Sequence, residues 1–184
     1  MLKRKVKEFI QHLGHDIEDE EAAESYLDES LPLVGLVVMY FNTLEKNVDS
    51  VLCEIVSDRS DEPGLIVLHG MHYSAKIDLF KRFSNSFHSC GTEPPAYRGL
   101  VDALLEVGRL RNLVVHADWQ NTDEEGYTFV RVKMSDKILQ QEYVQLSTEA
   151  LEKLLGKIGD AHSQLSDYHE ERSNLLSYGK CHIE

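Results

Sequence analysis

Residues 109–119, RLRNLVVHADW, place two arginines, an asparagine and a histidine at the end of an apolar helical pattern. On a helix, Asn112 and His116 are one turn apart on the same face, and Arg109, seven residues before His116, shares that face. Arg111 lies about 140° away around the helix, but a long side chain can swing around a helix end. The spacing therefore predicts that three kinds of polar group converge where the helix stops.

These groups suit phosphodiester cleavage without a metal. An imidazole can transfer protons near neutral pH, and a guanidinium can bind a phosphate and stabilise its developing charge. A simpler interpretation stays open: cations at a helix C-terminus interact favourably with the helix dipole, and the histidine caps a carbonyl.

The segment Arg111-Asn112-Leu-Val-Val-His116 resembles the R-[N/D/H]-x-x-x-H motif of HEPN domains. HEPN domains are all-α bundles that are common in bacterial toxin–antitoxin and phage-defence systems. The small residue Ala117 after the histidine strengthens the resemblance, as does the segment Met71–Phe83, which is similar to the helix before the motif in some members. At the level of pattern, the likeness extends over about residues 25–175.

The resemblance implies a metal-independent endoribonuclease that leaves a 2′,3′-cyclic phosphate and needs no cofactor. His116 would transfer the proton, Arg111 would stabilise the charged phosphorane, and Asn112 would orient the histidine or the phosphate. We expect Arg109 to contribute to substrate binding. Family members place the motif at a two-fold dimer interface, which implies a homodimer with a basic cleft, RNA as the substrate, and a cognate antitoxin protein as a further partner.

One position departs from the family pattern. Some toxins of this family carry a tyrosine two residues after the histidine, where a partner nucleotidyltransferase modifies it, but this chain has Asp118. Silencing by that chemistry is therefore not expected, and the sequence favours an ordinary salt bridge between Asp118 and an arginine.

Two alternatives remain beside the ribonuclease. One is a non-catalytic HEPN dimer that binds a partner or a nucleotide, and the other is a structural bundle with no site. The complete set of Arg111, Asn112 and His116 favours the enzyme, whereas the overall acidity of the chain favours a binding module.

Apolar residues recur at three- and four-residue steps over several segments, which predicts an all-α bundle of four to five antiparallel helices. Residues 65–68 could be strand or helix. The predicted helices are Lys3–Leu13, Leu33–Ile55, Tyr73–Phe87, a helix from near Pro95 to near Trp119, and one from Ser147 to about Ser177.

A small β-hairpin is expected before the last helix, at about residues 126–147. The segment YTFVRVKM, residues 127–134, alternates in the manner of a strand, and residues 142–146 form a weaker second strand. We interpret residues 1–184 as a single HEPN-like domain.

Charge and composition limit the classes of function. The 184 residues carry a net charge of −13, which argues against nucleic-acid binding over the whole surface. Residues 72–137 hold 9 Lys/Arg and 9 Asp/Glu, so cations are relatively concentrated in the segment that contains the motif. The sequence shows neither a signal-peptide pattern nor an apolar run long enough to span a membrane, and its three cysteines form no disulfide framework. These features predict a cytoplasmic protein.

Other sites have little support. His69, His72, His88 and Cys90 match no zinc spacing, and the Cys181-His182 pair lies at the chain end, so no metal site is expected. P-loop, G-x-G-x-x-G and G-x-S-x-G motifs are absent from the sequence, which leaves nucleotide hydrolysis and serine hydrolysis unsupported. Trp119 could stack on an RNA base, but we favour a role in closing the core after the helix.

Overall fold

The computed structural model describes residues 1, 3–6, 17, 19–57, 59–89, 91, 93–135 and 138–180. In this part of the chain, five α-helices and a short 3₁₀ helix account for most of the residues. The α-helices are α1 Glu20–Val56, α2 Glu62–Leu68, α3 Tyr73–His88, α4 Leu100–Val115 and α5 Thr148–Lys180. The predicted mostly helical fold is confirmed.

A small antiparallel sheet completes the fold. Its strands are β1 Lys3–Val6, β2 Asp118–Thr122, β3 Tyr127–Ser135 and β4 Ile138–Gln145. The spatial order is β1-β4-β3-β2, so β3 and β4 form the predicted hairpin before α5, and β1 and β2 are the edge strands.

The chain divides into two compact units, each built from two separate segments. Unit 1 contains residues 1–39 and 110–156, and unit 2 contains residues 40–109 and 157–184. The sheet and the residues Arg111, Asn112 and His116 all belong to unit 1.

In unit 1, Tyr26 near the start of α1 contacts both the turn between β2 and β3 and the residue that follows the hairpin. The Tyr26 hydroxyl donates a hydrogen bond to the Leu146 carbonyl at 2.8 Å. Gly126 has a φ of +80°, and a Cβ there would lie 2.2 Å from the Tyr26 hydroxyl oxygen. Glycine is required at this position both by the backbone conformation and by the nearness of the tyrosine.

In unit 2, polar contacts define the direction of the helices. Tyr73, at the start of α3, donates to the Leu104 carbonyl of α4 at 3.1 Å, and Asn85, near the end of α3, accepts from Tyr97 of the 3₁₀ helix at 3.0 Å. The end of α3 therefore lies beside the segment that leads into α4. Two further contacts, Asn47 with His162 and Glu54 with His169, are seven residues apart on both α1 and α5. These two helices therefore run in the same direction.

The core of unit 2 contains a buried lysine between two carboxylates. Lys76, 8% exposed, lies 2.9 Å from Glu45 and 2.8 Å from Asp49. Burial disfavours the charged ammonium, but the hydrogen bonds that it donates to Asp49 and Glu45 outweigh this effect and raise the pKa of Lys76. A buried charge of this kind is tolerated because it is paired and hydrogen-bonded.

Three predicted helices differ from the structure, the first of them in its start: the helix predicted over Leu33–Ile55 begins at Glu20. The helix predicted over Lys3–Leu13 is wrong for residues 3–6, which form β1, and residues 7–13 lie outside the described residues. The helix predicted to end near Trp119 ends at Val115, and β2 follows at Asp118. The ambiguous run at residues 65–68 is helical and belongs to α2.

Candidate active site

Two residues of the motif, Asn112 and His116, lie on the exposed side of the end of α4 in unit 1. Leu110, Leu113 and Val114 are at most 9% exposed. Because these apolar residues fix the rotation of the helix, Asn112 and His116 lie on its exposed side. The structure thus places these two polar side chains one turn apart on the helix, and both are open to solvent.

Arg111 and Asn112 are joined directly. The Arg111 guanidinium donates from Nη1 to Asn112 Oδ1 at 3.1 Å. Arg111 is half-buried, while Asn112 is exposed. The hydrogen bond brings the guanidinium toward the face of Asn112, although Arg111 itself lies on another side of the helix. This contact joins two neighbouring residues of the motif, and the approach of Arg111 to His116 stays a prediction.

His116 stands immediately after the last residue of α4. Its backbone N–H donates to the Asn112 carbonyl at 3.1 Å, which completes the last helical turn. Its imidazole is exposed. The chain therefore presents the ring at the C-terminal end of the helix, where the unsatisfied carbonyls carry partial negative charge.

Trp119 closes the helix end. Its indole Nε1 donates to the Val114 carbonyl at 2.9 Å, and the side chain is half-buried. This contact satisfies one of the carbonyls left over at the end of a helix. It supports the structural role that the sequence favoured for Trp119 over stacking on RNA.

Asp118, two residues after His116, accepts a hydrogen bond from an amide. The Asn121 side chain donates to Asp118 Oδ2 at 2.5 Å, within β2. The expected salt bridge to an arginine is not the contact that the structure shows for this carboxylate. Asp118 is thus hydrogen-bonded within β2, the short strand that follows the motif.

Arg109 belongs to unit 2 and is engaged by a carboxylate. Its Nε and Nη2 atoms donate to the two carboxylate oxygens of Glu106 at 2.8 and 2.9 Å. This bidentate pair raises the pKa of Arg109 and lowers that of Glu106. Much of the charge of Arg109 is therefore already neutralised by its own helix.

Among the residues that the structure describes, the histidines outside the motif do not form a metal-binding group. Across the described part of the chain, no group of three His, Cys, Asp or Glu residues could hold a metal ion. His69 and His72 are exposed, and His88 packs edge-on against Tyr97 at a centroid distance of 4.5 Å. Cys90, Cys181 and His182 lie outside the described residues.

A second charged cluster, which the sequence analysis did not identify, occupies the sheet of unit 1. Glu142, on β4, is 1% exposed and is contacted by three cations. Arg131 and Lys133 of β3 lie 2.8 Å from its Oε2, and Lys3 of β1 lies 3.4 Å from its Oε1. We call these four residues the Glu142 cluster.

The cations keep Glu142 ionised. Burial alone would raise its pKa, but hydrogen bonds from Lys133 and Arg131 and the nearby positive charges lower it to about 2. The alternation Arg131-Val-Lys133 and the following Glu142 were visible signals of a charged hairpin face. The contact between Lys3 and Glu142 could not be predicted from the sequence, because residues 3–6 were predicted to be part of a helix.

No family model, curated protein or solved structure matches this chain. No helix within the described ranges combines the length and the apolar character needed to cross a membrane.

Proposed function

We propose that this protein is a metal-independent endoribonuclease of the HEPN type, with Arg111, Asn112 and His116 as its catalytic residues. One observation carries the proposal. The exposed imidazole of His116 follows the end of α4 one turn from Asn112, whose carboxamide accepts a hydrogen bond from Arg111 at 3.1 Å. The three groups that the chemistry requires are thus held at one helix end.

In the proposed reaction, the ribose 2′-oxygen attacks the adjacent phosphorus and the bond from phosphorus to the 5′-oxygen breaks. The products are a 2′,3′-cyclic phosphate and a 5′-hydroxyl, so no external oxidant or nucleophile is consumed. His116 transfers a proton at the attacking or leaving oxygen. Arg111 stabilises the additional negative charge of the phosphorane, and Asn112 holds the guanidinium in place.

A homodimer is part of the proposal because one copy offers a single imidazole. The reaction removes a proton from the 2′-hydroxyl and gives one to the leaving 5′-oxygen, and two histidines could divide these tasks. Val115, next to His116, is 37% exposed, which leaves an apolar side chain beside the motif that a second copy could cover. RNA is the proposed substrate, and a cognate antitoxin and a cytoplasmic location complete the proposal.

We propose a smaller role in substrate binding for Arg109 than for Arg111. Its bidentate pair with Glu106 leaves less charge for a substrate, so a contribution of Arg109 to RNA binding requires that a phosphate compete with Glu106. We therefore expect Arg109→Ala to have a smaller effect than Arg111→Ala on cleavage.

A non-catalytic HEPN dimer is the second candidate. The net charge of −13 favours it, because an acidic protein repels RNA wherever local cations are lacking. In that case the motif would contribute to partner or nucleotide binding without cleaving a phosphodiester.

The test is cleavage of total RNA in EDTA by wild type, His116→Ala and Arg111→Ala. We expect wild type to leave cyclic phosphate termini, and each variant to lose roughly 100-fold or more of the rate. His72→Ala and Arg82→Ala are matched controls, since both side chains are exposed and lie outside the motif. Equal cleavage by wild type and His116→Ala, or none by any protein, would refute the catalytic proposal and leave the binding module.

A further inference from the structure

The fold collects positive charge on three neighbouring strands of unit 1. Strands β1, β4 and β3 contain five cationic residues and one acidic residue, a net of +4 in a chain whose overall charge is −13. The five cations are Lys3, Arg4, Lys5, Arg131 and Lys133, and the acidic residue is Glu142. The sheet is therefore basic although the protein is acidic.

The strand register places cationic residues of two strands on either side of the same residue of β4. Lys5 on β1 and Arg131 on β3 are both paired with Glu142 on the intervening β4. The two outer strands are about 10 Å apart, which is twice the usual spacing between strands. The N-terminal strand and the hairpin, distant in sequence, thus supply one basic surface from both sides of β4.

Stabilising a buried carboxylate does not require so many cations. Glu142 is 1% exposed, whereas the side chains of Lys3, Arg131 and Lys133 are 47%, 49% and 40% exposed. One carboxylate can neutralise one cation, so two positive charges are left in excess at the surface. Glu142 holds three cationic groups at one place and leaves about half of each side chain open to solvent.

The chemistry of this surface fits a phosphodiester backbone better than a protein partner. Protein interfaces have an apolar centre, but the exposed apolar residues of β3, Val132 and Met134, alternate with Arg131 and Lys133 and so point to the other face of the sheet. The face of the Glu142 cluster offers charge and hydrogen-bond donors. Arginine and lysine supply the contacts that hold nucleic-acid phosphates.

We infer that the sheet of unit 1 binds the phosphodiester backbone of RNA through Lys3, Arg131 and Lys133, which Glu142 holds together. This inference deepens the proposed function, on which its choice of RNA rests. The sheet retains the strand independently of its sequence, and the motif at the end of α4 cleaves it. An acidic chain would thereby bind RNA with local cations while its other surfaces repel it.

Binding can be separated from cleavage in the His116→Ala background. The probe is a labelled single-stranded RNA of 20 mixed nucleotides, measured by fluorescence anisotropy over a series of salt concentrations. Changing both Lys3 and Lys133 to Gln should weaken binding at low salt by about tenfold or more. The slope of log affinity against log salt should fall by about 1.4, which is about 0.7 for each lost phosphate contact.

Three further variants make the result specific. Lys153→Gln, an exposed lysine of the same unit that pairs with Glu149 on α5, should bind as tightly as the parent. Changing Lys3 and Lys133 to Arg should preserve affinity because charge is preserved. Glu142→Gln adds one excess charge and should strengthen binding several-fold, whereas a purely structural cluster would give no gain. Thermal melting identifies any variant that is not folded.

The outcomes distinguish this inference from the proposed function. Charge-dependent RNA binding without cleavage by the enzyme with His116 intact would refute the ribonuclease and leave the binding surface. Cleavage by that enzyme, with equal RNA affinity for the parent and the double Gln variant, would refute the surface and leave the ribonuclease. A DNA strand of the same sequence should bind comparably. Binding of DNA alone, or of poly-glutamate in place of RNA, would overturn the inference.

Discussion

Glu142 shows how one buried residue can make stability depend on pH. Its folded pKa, about 2, lies below the ordinary value of 4.5, so the folded state holds this proton less tightly than the unfolded chain. The stabilising contribution is therefore fully present above pH 4.5 and is lost as the pH falls toward 2. We expect it to be on the order of 2 kcal/mol, since the three cations are about half exposed and partly screened.

The measurement is urea unfolding at pH 5 and pH 3 for wild type and Glu142→Gln. Wild type should lose more stability between the two values than the variant does, because the variant has no carboxyl group to protonate at that position. An identical loss in both proteins would contradict the lowered pKa.

Gly126 allows a second prediction at the residue scale. Gly126→Ala forces an unfavourable φ of +80° and also places a Cβ 2.2 Å from the Tyr26 hydroxyl oxygen. Gly70→Ala is the matched control, because its φ of +74° is similar and nothing lies within 4 Å of the added Cβ. We expect Gly70→Ala to cost about 1 kcal/mol and Gly126→Ala about 2–3 kcal/mol in denaturant unfolding. Equal losses would show that Tyr26 moves aside freely.

At the scale of elements, replacing glycine by alanine should change the free energy of unfolding in opposite directions in α1 and α4. Gly35, inside α1, has nothing within 4 Å of an added Cβ, so Gly35→Ala should stabilise by about 0.5–1 kcal/mol. Gly108, inside α4, would place its Cβ 2.7 Å from Tyr73. That ring cannot move easily, since it packs on Phe41 at 4.7 Å and its hydroxyl donates to Leu104.

Gly108→Ala should therefore destabilise by about 1–3 kcal/mol. Thermal unfolding of both variants beside wild type tests the pair, with shifts of about 2–4 °C per kcal/mol expected for a chain of this size. A stabilising effect at both positions would mean that α3 and α4 adjust to the extra methyl group.

Long helices were predictable because their apolar residues repeat over many turns. The last helix, for example, was predicted from Ser147 to about Ser177, and most of the residues that suggested it are buried: Leu151, Leu154, Ile158, Leu165 and Tyr168. Residues 3–6 were not predictable, because a four-residue strand is stabilised by its partner β4 and has too few residues to show a period. Asp118–Thr122 is polar apart from Trp119 and shows no alternation typical of a strand, so its pairing with β3 could not be predicted.

In the candidate site, too, local spacing was predictable and contacts between distant segments were not. Helical spacing alone placed Asn112 and His116 on one face of α4, whereas their exposure became visible only in the structure. The engagement of Arg109 by Glu106, three residues earlier on α4, was also within reach of that spacing. Predicting the Glu142 cluster would have required the register of three strands. Its third cation, Lys3, comes from a segment that no local pattern assigned to the sheet.

At the scale of the whole molecule, neither compact unit is a continuous piece of chain. Unit 2 takes residues 157–184 from beyond the sheet of unit 1, including four core residues that are at most 1% exposed: Ile158, Ala161, Leu165 and Tyr168. A chain ending at Gly156 lacks all four. Because each large core side chain contributes about 1.5–3 kcal/mol, this loss is comparable with the entire stability of a domain.

We therefore expect residues 40–109 to lose amide protection in the chain that ends at Gly156, as measured by hydrogen exchange. Leu165→Ala in the full chain is a milder variant, and we expect its free energy of unfolding to fall by about 2–5 kcal/mol. Protection of residues 40–109 that survives the truncation would show that the first segment of unit 2 is sufficient on its own.

The place of β1 at the edge of the sheet also affects how the protein can be handled. Its outer side has backbone groups that no strand of the described sheet covers. A fusion tag attached close to β1 would lie beside this edge, where an apolar, β-prone peptide could recruit other chains. The lysines of β1 oppose such growth, so a short charged tag, or one attached after α5, is the safer choice for purification.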